Sequence, residues 1–523
     1  MKVKSLSQIF VFILFVICLT PCFGRASIMM FDEKLRVKGS LYEFMIYRTS
    51  LKEEERQYRD TELGLMRSKA TLELLYKTVE TEKLDINLFG FFQYWHDSVP
   101  DIDDEYRQSI DDPKKYQGPF FDEDDWINEL YADIYAGKWN IRLGKQIVVW
   151  SEVAMVRTID QVNSLDLRYT NPGIDPWDEM KLGLWMMRGF YNSNLPGQLV
   201  FEWIWVPGDF EQIRTPTEGT SMAGGLVSPP YGETGERPRA FGMKGIADEV
   251  MNDARPAFNI RNSQFGFRIR GNSEVFMLND YYLLDWTVSW WHGMRSTPVV
   301  KTDEVASLNT LMGTHALSRL FPGSTSTPQI PDRRMMEYKF YDAIGFSCQS
   351  YIPPAKGVLR GEFSYEIGMP INTTSKNGNT YFTGNSERDQ MNAGITFDRP
   401  VLVPWLQDRG WDVLDCSVGW NSQYKFGDVN RRWETYGFED RTQSNFTLLI
   451  KSRFYHSEFR PVMSFFYNTR NWGYGAFVLA WLPTGHMRYS LGFMWTYAGD
   501  PTDSAVASSE NGDFLFFKIG YEF

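Results

Sequence analysis

FLFFKIGYEF, Phe514 to Phe523, is the last stretch of the sequence, and it places Leu515, Phe517, Ile519, Tyr521 and Phe523 on one side of an extended backbone, with Lys518, Gly520 and Glu522 on the other. Side chains of a strand alternate between its two faces, so this rhythm describes a sheet with one apolar face and one polar face.

The same rhythm recurs along the chain. Met66, Ser68, Ala70, Leu72, Leu74 and Tyr76 alternate with Arg67, Lys69, Thr71 and Glu73, and Leu84, Ile86, Leu88, Phe92 and Tyr94 alternate with Lys83, Asp85, Asn87 and Gln93. Leu284, Trp286, Val288 and Trp290 alternate with Asp285, Thr287 and Ser289; Leu359, Phe363, Tyr365 and Ile367 with Arg360, Glu362, Ser364 and Glu366. Met487, Tyr489, Leu491, Phe493, Trp495 and Tyr497 repeat it near the end.

Alternation alone fits a soluble sandwich as well as a membrane wall. The start of the chain helps to separate the two. Residues 1–26 join Lys2 and Lys4 to the apolar run IFVFILFVICL, Ile9 to Leu19, and then to small residues, which reads as a secretory signal peptide. The run is too short to cross a bilayer as a helix, and no later apolar run reaches that length. A helical membrane protein is thereby excluded. Aromatic residues make up 16% of the chain, and Trp and Tyr crowd strand ends at Tyr94-Trp95, Trp203 to Trp205 and Trp290-Trp291, as rings at a membrane interface do.

Of the four cysteines only Cys348 and Cys416 lie after the leader, so no disulfide framework or cysteine-based metal site is expected. Both fall in strand-like runs, either paired or buried separately, the second reading being preferred. Without Lys2, Lys4 and Arg25 the 54 basic residues fall to 51 against 66 acidic ones, a net charge near minus 15 that disfavours nucleic acid as a partner.

Connections alternate between short and long. Short links fall at 136–139, 192–197, 353–357 and 483–486; long polar ones fall at 99–125, 150–180, 210–262, 295–335, 372–388, 427–443 and 499–512. The expectation is an all-β, transmembrane antiparallel β-barrel over residues 27–523, of about 18 strands, or 16 if the runs near 181–191 and 459–468 are misread. The last strand must then close on the first, near Leu35 to Tyr47, because an open edge in lipid leaves its N–H and C=O groups unpaired.

The hairpin from Asn128 to Glu152 places Glu129, Tyr131, Asp133 and Tyr135, and then Asn140, Arg142, Gln146 and Trp150, on the inner side. The segment after it, VAMVRTIDQVNSLDLRYTNPGIDPWDEMK, carries Asp160, Asp166, Arg168, Asp175, Asp178 and Glu179 and is too long and irregular for a surface turn. Residues 150–180 are expected to fold into the lumen as a constriction, with Glu129, Asp133 and Arg142 near its narrowest point. Arg268, Arg270, Arg360 and Glu362 are further pore-lining candidates. Opposed charges on such a wall either set a transverse field across a pore or form internal ion pairs that stabilise a plugged barrel.

RLGKQ-x-V-x-WSE followed by D-Q-x-N-x-x-D, between Arg142 and Asp166, resembles a porin-like family of Gram-negative outer-membrane barrels of unknown function. Ser151 stands where that pattern has Gly, and Ser164 where it has Pro. The resemblance implies a setting beside a second exported protein and an inner-membrane permease of the resistance-nodulation-division type, with traffic of apolar compounds. The terminal alternation ending in Tyr521 and Phe523 likewise resembles the signal read by the outer-membrane assembly machinery.

The acidic stretch 99–125, with DIDDE and DEDD, either holds Ca²⁺ or bridges to lipopolysaccharide through divalent ions, or is a solvated loop; it lacks the spacing of a calcium-binding hand, and the solvated loop is preferred. The five histidines are scattered, His96 beside Asp97 and Ser98 being the best catalytic candidate, and no G-x-S-x-G, metal-spaced pair or C-x-x-C-H occurs. No catalytic residue, metal or cofactor is therefore expected. The functions that remain are a channel for small solutes, a conduit for hydrophobic compounds working with a periplasmic partner, and a barrel that docks an exported partner such as a lipoprotein.

Overall fold

The computed structural model describes residues 27–49, 63–102, 126–153, 158–166, 177–214, 255–277, 280–307, 335–374, 382–427, 432–433, 442–469, 472–498 and 513–523. The leader, most of the acidic stretch 99–125 and Arg168 lie outside them.

Eighteen long strands follow one another: β1 Leu35–Arg48, β2 Leu63–Glu80, β3 Asp85–Asp97, β4 Ile127–Ala136, β5 Trp139–Gln146, β6 Leu184–Asn192, β7 Val200–Val206, β8 Gln264–Met277 and β9 Asp280–Met294. They continue as β10 Phe340–Ile352, β11 Gly357–Thr374, β12 Phe382–Val401, β13 Leu414–Lys425, β14 Thr442–Lys451, β15 Phe459–Asn468, β16 Trp472–Trp481, β17 Met487–Ala498 and β18 Phe514–Glu522. Each pairs antiparallel with its sequence neighbours, and Ile28–Met30 and Arg432–Trp433 are short attachments to the same sheet. The runs near 181–191 and 459–468 both form strands, which gives eighteen rather than sixteen.

The sheet closes where β18 meets β1, in nine consecutive pairs from Ser40↔Glu522 to Arg48↔Phe514. Main-chain bonds between Gly39 and Phe523 extend the seam, and the Phe523 ring packs on Gly39, where a side chain would collide with it. Leaving these groups unpaired in hydrocarbon would cost several kcal/mol each, on the order of the whole stability of a domain when summed.

Residue type follows the side of the wall. Outward Phe346, Val418 and Leu491 are 40%, 55% and 58% exposed, while inward Ser347 and Ser490 are 1% and 3% exposed. A continuous exposed apolar belt around a buried polar interior inverts the layout of a water-soluble fold. Near the termini an outer ladder of rings, Trp411, Phe454, Phe459, Trp481 and Tyr489, steps across neighbouring strands with centroids 4.6, 5.0, 6.1 and 5.4 Å apart. Amphipathic rings in a band of this kind suit a membrane interface.

Two expectations need correction. Trp290 faces outward, but Trp291 is inward and 1% exposed, and Trp95 is inward beside Tyr94, because adjacent residues of a strand cannot share a face. The stretch 372–388, expected as loop, is largely strand: β11 and β12 stay paired from Met369↔Arg388 to Thr374↔Phe382. Its polar residues obscure the strand because the hairpin continues after the apolar belt ends, past an irregularity at Gly368, where φ is +66°.

The interior is also not uniformly polar. Phe44, Ile46, Leu65, Ala476, Met494, Phe514 and Phe516 form a buried cluster beside the seam, with the Phe44 and Phe516 rings 5.6 Å apart. The inward side of the last strand thus begins apolar and turns polar at Lys518, whose ammonium lies 4.5 Å from the Tyr42 ring.

If the outer belt is the lipid face, Phe346→Arg is expected to lower unfolding free energy by about 2–4 kcal/mol where it lies near mid-bilayer. Denaturant titration of the barrel refolded into lipid vesicles measures this, and an unchanged midpoint would contradict the inside-out arrangement.

Candidate functional site

The chain leaves the wall at Gln146, the last residue of β5, and returns at Leu184, the first of β6. Between them residues 147–153, 158–166 and 177–183 run inside the barrel. Their Val148, Trp150, Ile159 and Val162 share one buried core with inward wall residues Ile204, Trp291, Tyr341, Ala343, Met369 and Ile371. Trp150 meets Trp291 edge to face at 6.3 Å. Gly266 and Gly345 leave room for this on the wall: a Cβ on the first would lie 2.9 Å from the Trp150 ring, and on the second 3.0 Å from Ile159.

Apolar packing sets depth, and three wall carboxylates set register. Glu362, 4% exposed, accepts from Ser151 Oγ at 2.8 Å, Val153 N at 2.9 Å, Thr158 Oγ1 at 2.9 Å and Thr158 N at 3.2 Å, and also from Glu152 N. Glu202, fully buried, accepts from Trp150 Nε1 at 3.1 Å, Arg188 Nε at 2.8 Å and Arg268 Nε at 2.7 Å. Glu366 accepts from Gln161 Nε2 at 2.6 Å and Asn392 Nδ2 at 3.0 Å. A carboxylate taken out of water needs this many donors to offset its desolvation.

The infolded segment also bonds to itself. Asp160 accepts from Trp150 N at 2.9 Å and from Lys181 Nζ at 2.6 Å, and Lys181 donates to Val148 O at 2.7 Å. Asn163 bridges Val148 N, Gln146 O and Leu182 O. Leu165 pairs with Lys181 and Asp166 with Arg214, so a second incoming segment, 207–214, joins the first.

Of the other candidates, Asp133 and Arg142 form a two-pronged ion pair of 2.7 and 2.8 Å, with the guanidinium 3.9 Å from the Tyr131 ring. Glu129 accepts from Ile147 N at 3.0 Å, where the chain leaves the wall. Gln146 is fully buried and donates to Met186 O at 3.2 Å. Arg360 pairs with Asp398 and bonds Gln349 at 3.2 Å. These groups line one continuous interior, but most of its charges are engaged with each other. Arg270 is the exception among the arginine candidates described here: it makes no ion pair with any described residue.

Lys181, Thr158 and the two wall glycines have no warning in the alternation pattern, since none of them breaks it. His96 bonds Asp101 at 2.8 Å, while Asp97 is buried and accepts from Met66 N and Val99 N, so His96, Asp97 and Ser98 do not assemble into one site. Cys348 and Cys416 are both free.

Residues 53–523 match the model of a protein family of unknown function, DUF1302. The chain belongs to that family. No curated protein matches it. Among solved structures it is similar to Pseudomonas aeruginosa OpdK crystallised with vanillate, at 7% identity and a TM-score of 0.44 over 94% of this chain and 99% of that one. It is similar also to Acinetobacter baumannii OccAB3, at 8% identity and 0.46 over 94% and 99%. A third is Salmonella typhi OmpF in complex with daunomycin, at 9% identity and 0.40 over 95% and 100%.

Outside the strands, Glu179 bonds Lys69 Nζ at 2.7 Å. Burial alone would raise its carboxyl, but the charge and hydrogen bond of Lys69, with Lys518 and Arg67 beyond, hold it below the ordinary 4.5. Its folded value lies under its unfolded one, so the contact stabilises fully above pH 4.5 and is lost as pH falls through the lowered value. Amide protection factors across residues 177–180, corrected for the intrinsic pH dependence of exchange and followed downward from neutral pH, should fall there in the wild type and be low throughout in Lys69→Met.

Glu362→Ala leaves buried donors without an acceptor and is expected to cost on the order of 3 kcal/mol. Hydrogen exchange should report lost protection at the amides of Glu152, Val153 and Thr158; retained protection there would show that packing of Trp150 and Ile159 suffices.

Proposed function

We propose that this protein is an outer-membrane channel for small solutes, narrowed by the segment between β5 and β6. The observation that carries the reading is that segment's placement: it is anchored on Glu202, Glu362 and Glu366 at the inner wall and not folded over the rim. On this reading the segment narrows the lumen and a solute passes beside it. Selection then comes from the width that remains and from the groups facing it. The paired charges, Arg142 with Asp133 and Arg188 and Arg268 with Glu202, act more as a scaffold than as a transverse field.

A second reading, a conduit for apolar compounds served by a periplasmic partner and an inner-membrane permease, has one observation in its favour. The buried Phe44, Ile46, Leu65, Met494, Phe514 and Phe516 cluster places apolar side chains on the inner side of the wall next to the seam.

Purified protein in planar bilayers should give stepwise ion conductance, increased in Glu362→Ala as the segment loosens. No conductance from a correctly folded barrel would overturn the channel, and uptake of apolar compounds by vesicles holding that same silent barrel would favour the second reading.

A further inference from the structure

Below the infolded segment, on the side of the short turns, the lumen holds a cavity of about 240 Å³, the volume of about eight water molecules. Arg270, Asn272, Asp285, Thr287 and Gln349 of the wall and Glu152 of the infolded segment line it. The arginine here differs from Arg142 and Arg268, each of which has a carboxylate partner. Arg268, two residues before Arg270 on β8, is paired with Glu202 at 2.7 Å. Arg270 has no ion pair among the described residues, and its Nε is buried without an acceptor. Asp285 stands in register between Asn272 and Gln349 and forms no ion pair among the described residues. Glu152 is fixed through its main-chain N–H on Glu362, which leaves its own carboxylate exposed at the cavity.

One guanidinium and two carboxylates therefore face a single small space. A simple anion entering it meets Asp285 and Glu152, and a simple cation meets Arg270. A solute carrying a carboxylate and an ammonium a few bonds apart satisfies both walls. We propose that this cavity is a binding subsite for small zwitterions of the amino-acid type. Arg270 takes the carboxylate in its planar fork, and Asp285 and Glu152 take the ammonium. Thr287 is already bonded to Ser347 Oγ at 2.7 Å and Gln349 Oε1 accepts from Arg360 at 3.2 Å, so both contribute shape, while Asn272 offers its amide beside the carboxylate and ammonium.

The proposal rests on the channel reading and names the solute class that the channel would hold. Its test is calorimetric titration of the full detergent-purified barrel with three matched probes: L-norvaline, pentanoate and pentylamine. Norvaline should bind about tenfold or more tighter than either single-charge probe. Arg270→Gln should abolish its advantage over pentylamine, and Asp285→Asn should shrink its advantage over pentanoate. Circular dichroism and heat-modified gel mobility confirm that each variant is a folded barrel. Equal binding of norvaline and pentanoate, no binding of norvaline, or unchanged affinity in folded Arg270→Gln would each overturn the subsite. Binding requires no current, so norvaline binding by a barrel silent in bilayers would sink the channel and leave the subsite standing. A conducting barrel indifferent to norvaline would do the reverse.

Discussion

Backbone hydrogen bonding in a medium that offers none is the constraint from which the rest of this molecule follows. Lipid cannot satisfy an amide, so a sheet exposed to it has to end on itself. β18 meeting β1 across nine residue pairs meets that requirement, and it fixes the positions of the two outermost strands. Once the ring is closed, each strand must place alternate residues in lipid and in the lumen, and neither choice is free. Phe346 and Ser347 show the consequence at one step of the chain, the first a lipid-facing ring, the second buried among hydroxyls.

A ring of eighteen strands encloses more space than its own inward side chains fill. That excess is the physical reason a segment can enter, and the entering segment solves two problems with different chemistry. Trp150, Ile159 and Val162 need apolar partners, which Trp291, Tyr341 and Met369 provide from the wall. The main chain of the segment needs acceptors and donors, because it forms no long ladder of its own. Glu362 meets that need at Glu152, Val153 and Thr158. A wall carboxylate thus does the work that neighbouring strands do elsewhere, and the hydrophobic core of this protein is in part a contact between its loop and the inside of its sheet.

This division explains what was legible in the sequence. Strand identity could be read because a two-residue period survives wherever one side is lipid, and the entry of the described parts of 150–180 could be read from length and irregularity. The inward placement of Glu129, Asp133, Arg142 and Glu362 followed from the same period. What could not be read were relationships across the lumen. Nothing local to Glu362 tells that its acceptor capacity is filled by Ser151 and Thr158, more than two hundred residues earlier in the chain. The inward placement of Trp291 was obscured for a related reason: in a Trp-Trp doublet one ring must face inside, and only a partner such as Trp150 makes that favourable. The buried Phe44 and Phe516 pair breaks the equation of apolar with lipid in the same way.

Electrostatics in the interior is governed less by how many charges it holds than by which of them are cancelled nearby. Asp133 with Arg142 and Asp160 with Lys181 lie under 3 Å apart and contribute only short-range fields, whereas Glu202 can cancel just one of its two arginines. Coulomb interaction with a passing solute is therefore set mainly by the groups left uncompensated, and screening by lumen water confines their reach to about a Debye length of 10 Å. Arg270, Asp285 and Glu152 line a single cavity. A strongly acidic protein can for this reason hold a local environment that contains both signs, and the overall charge is a poor guide to it.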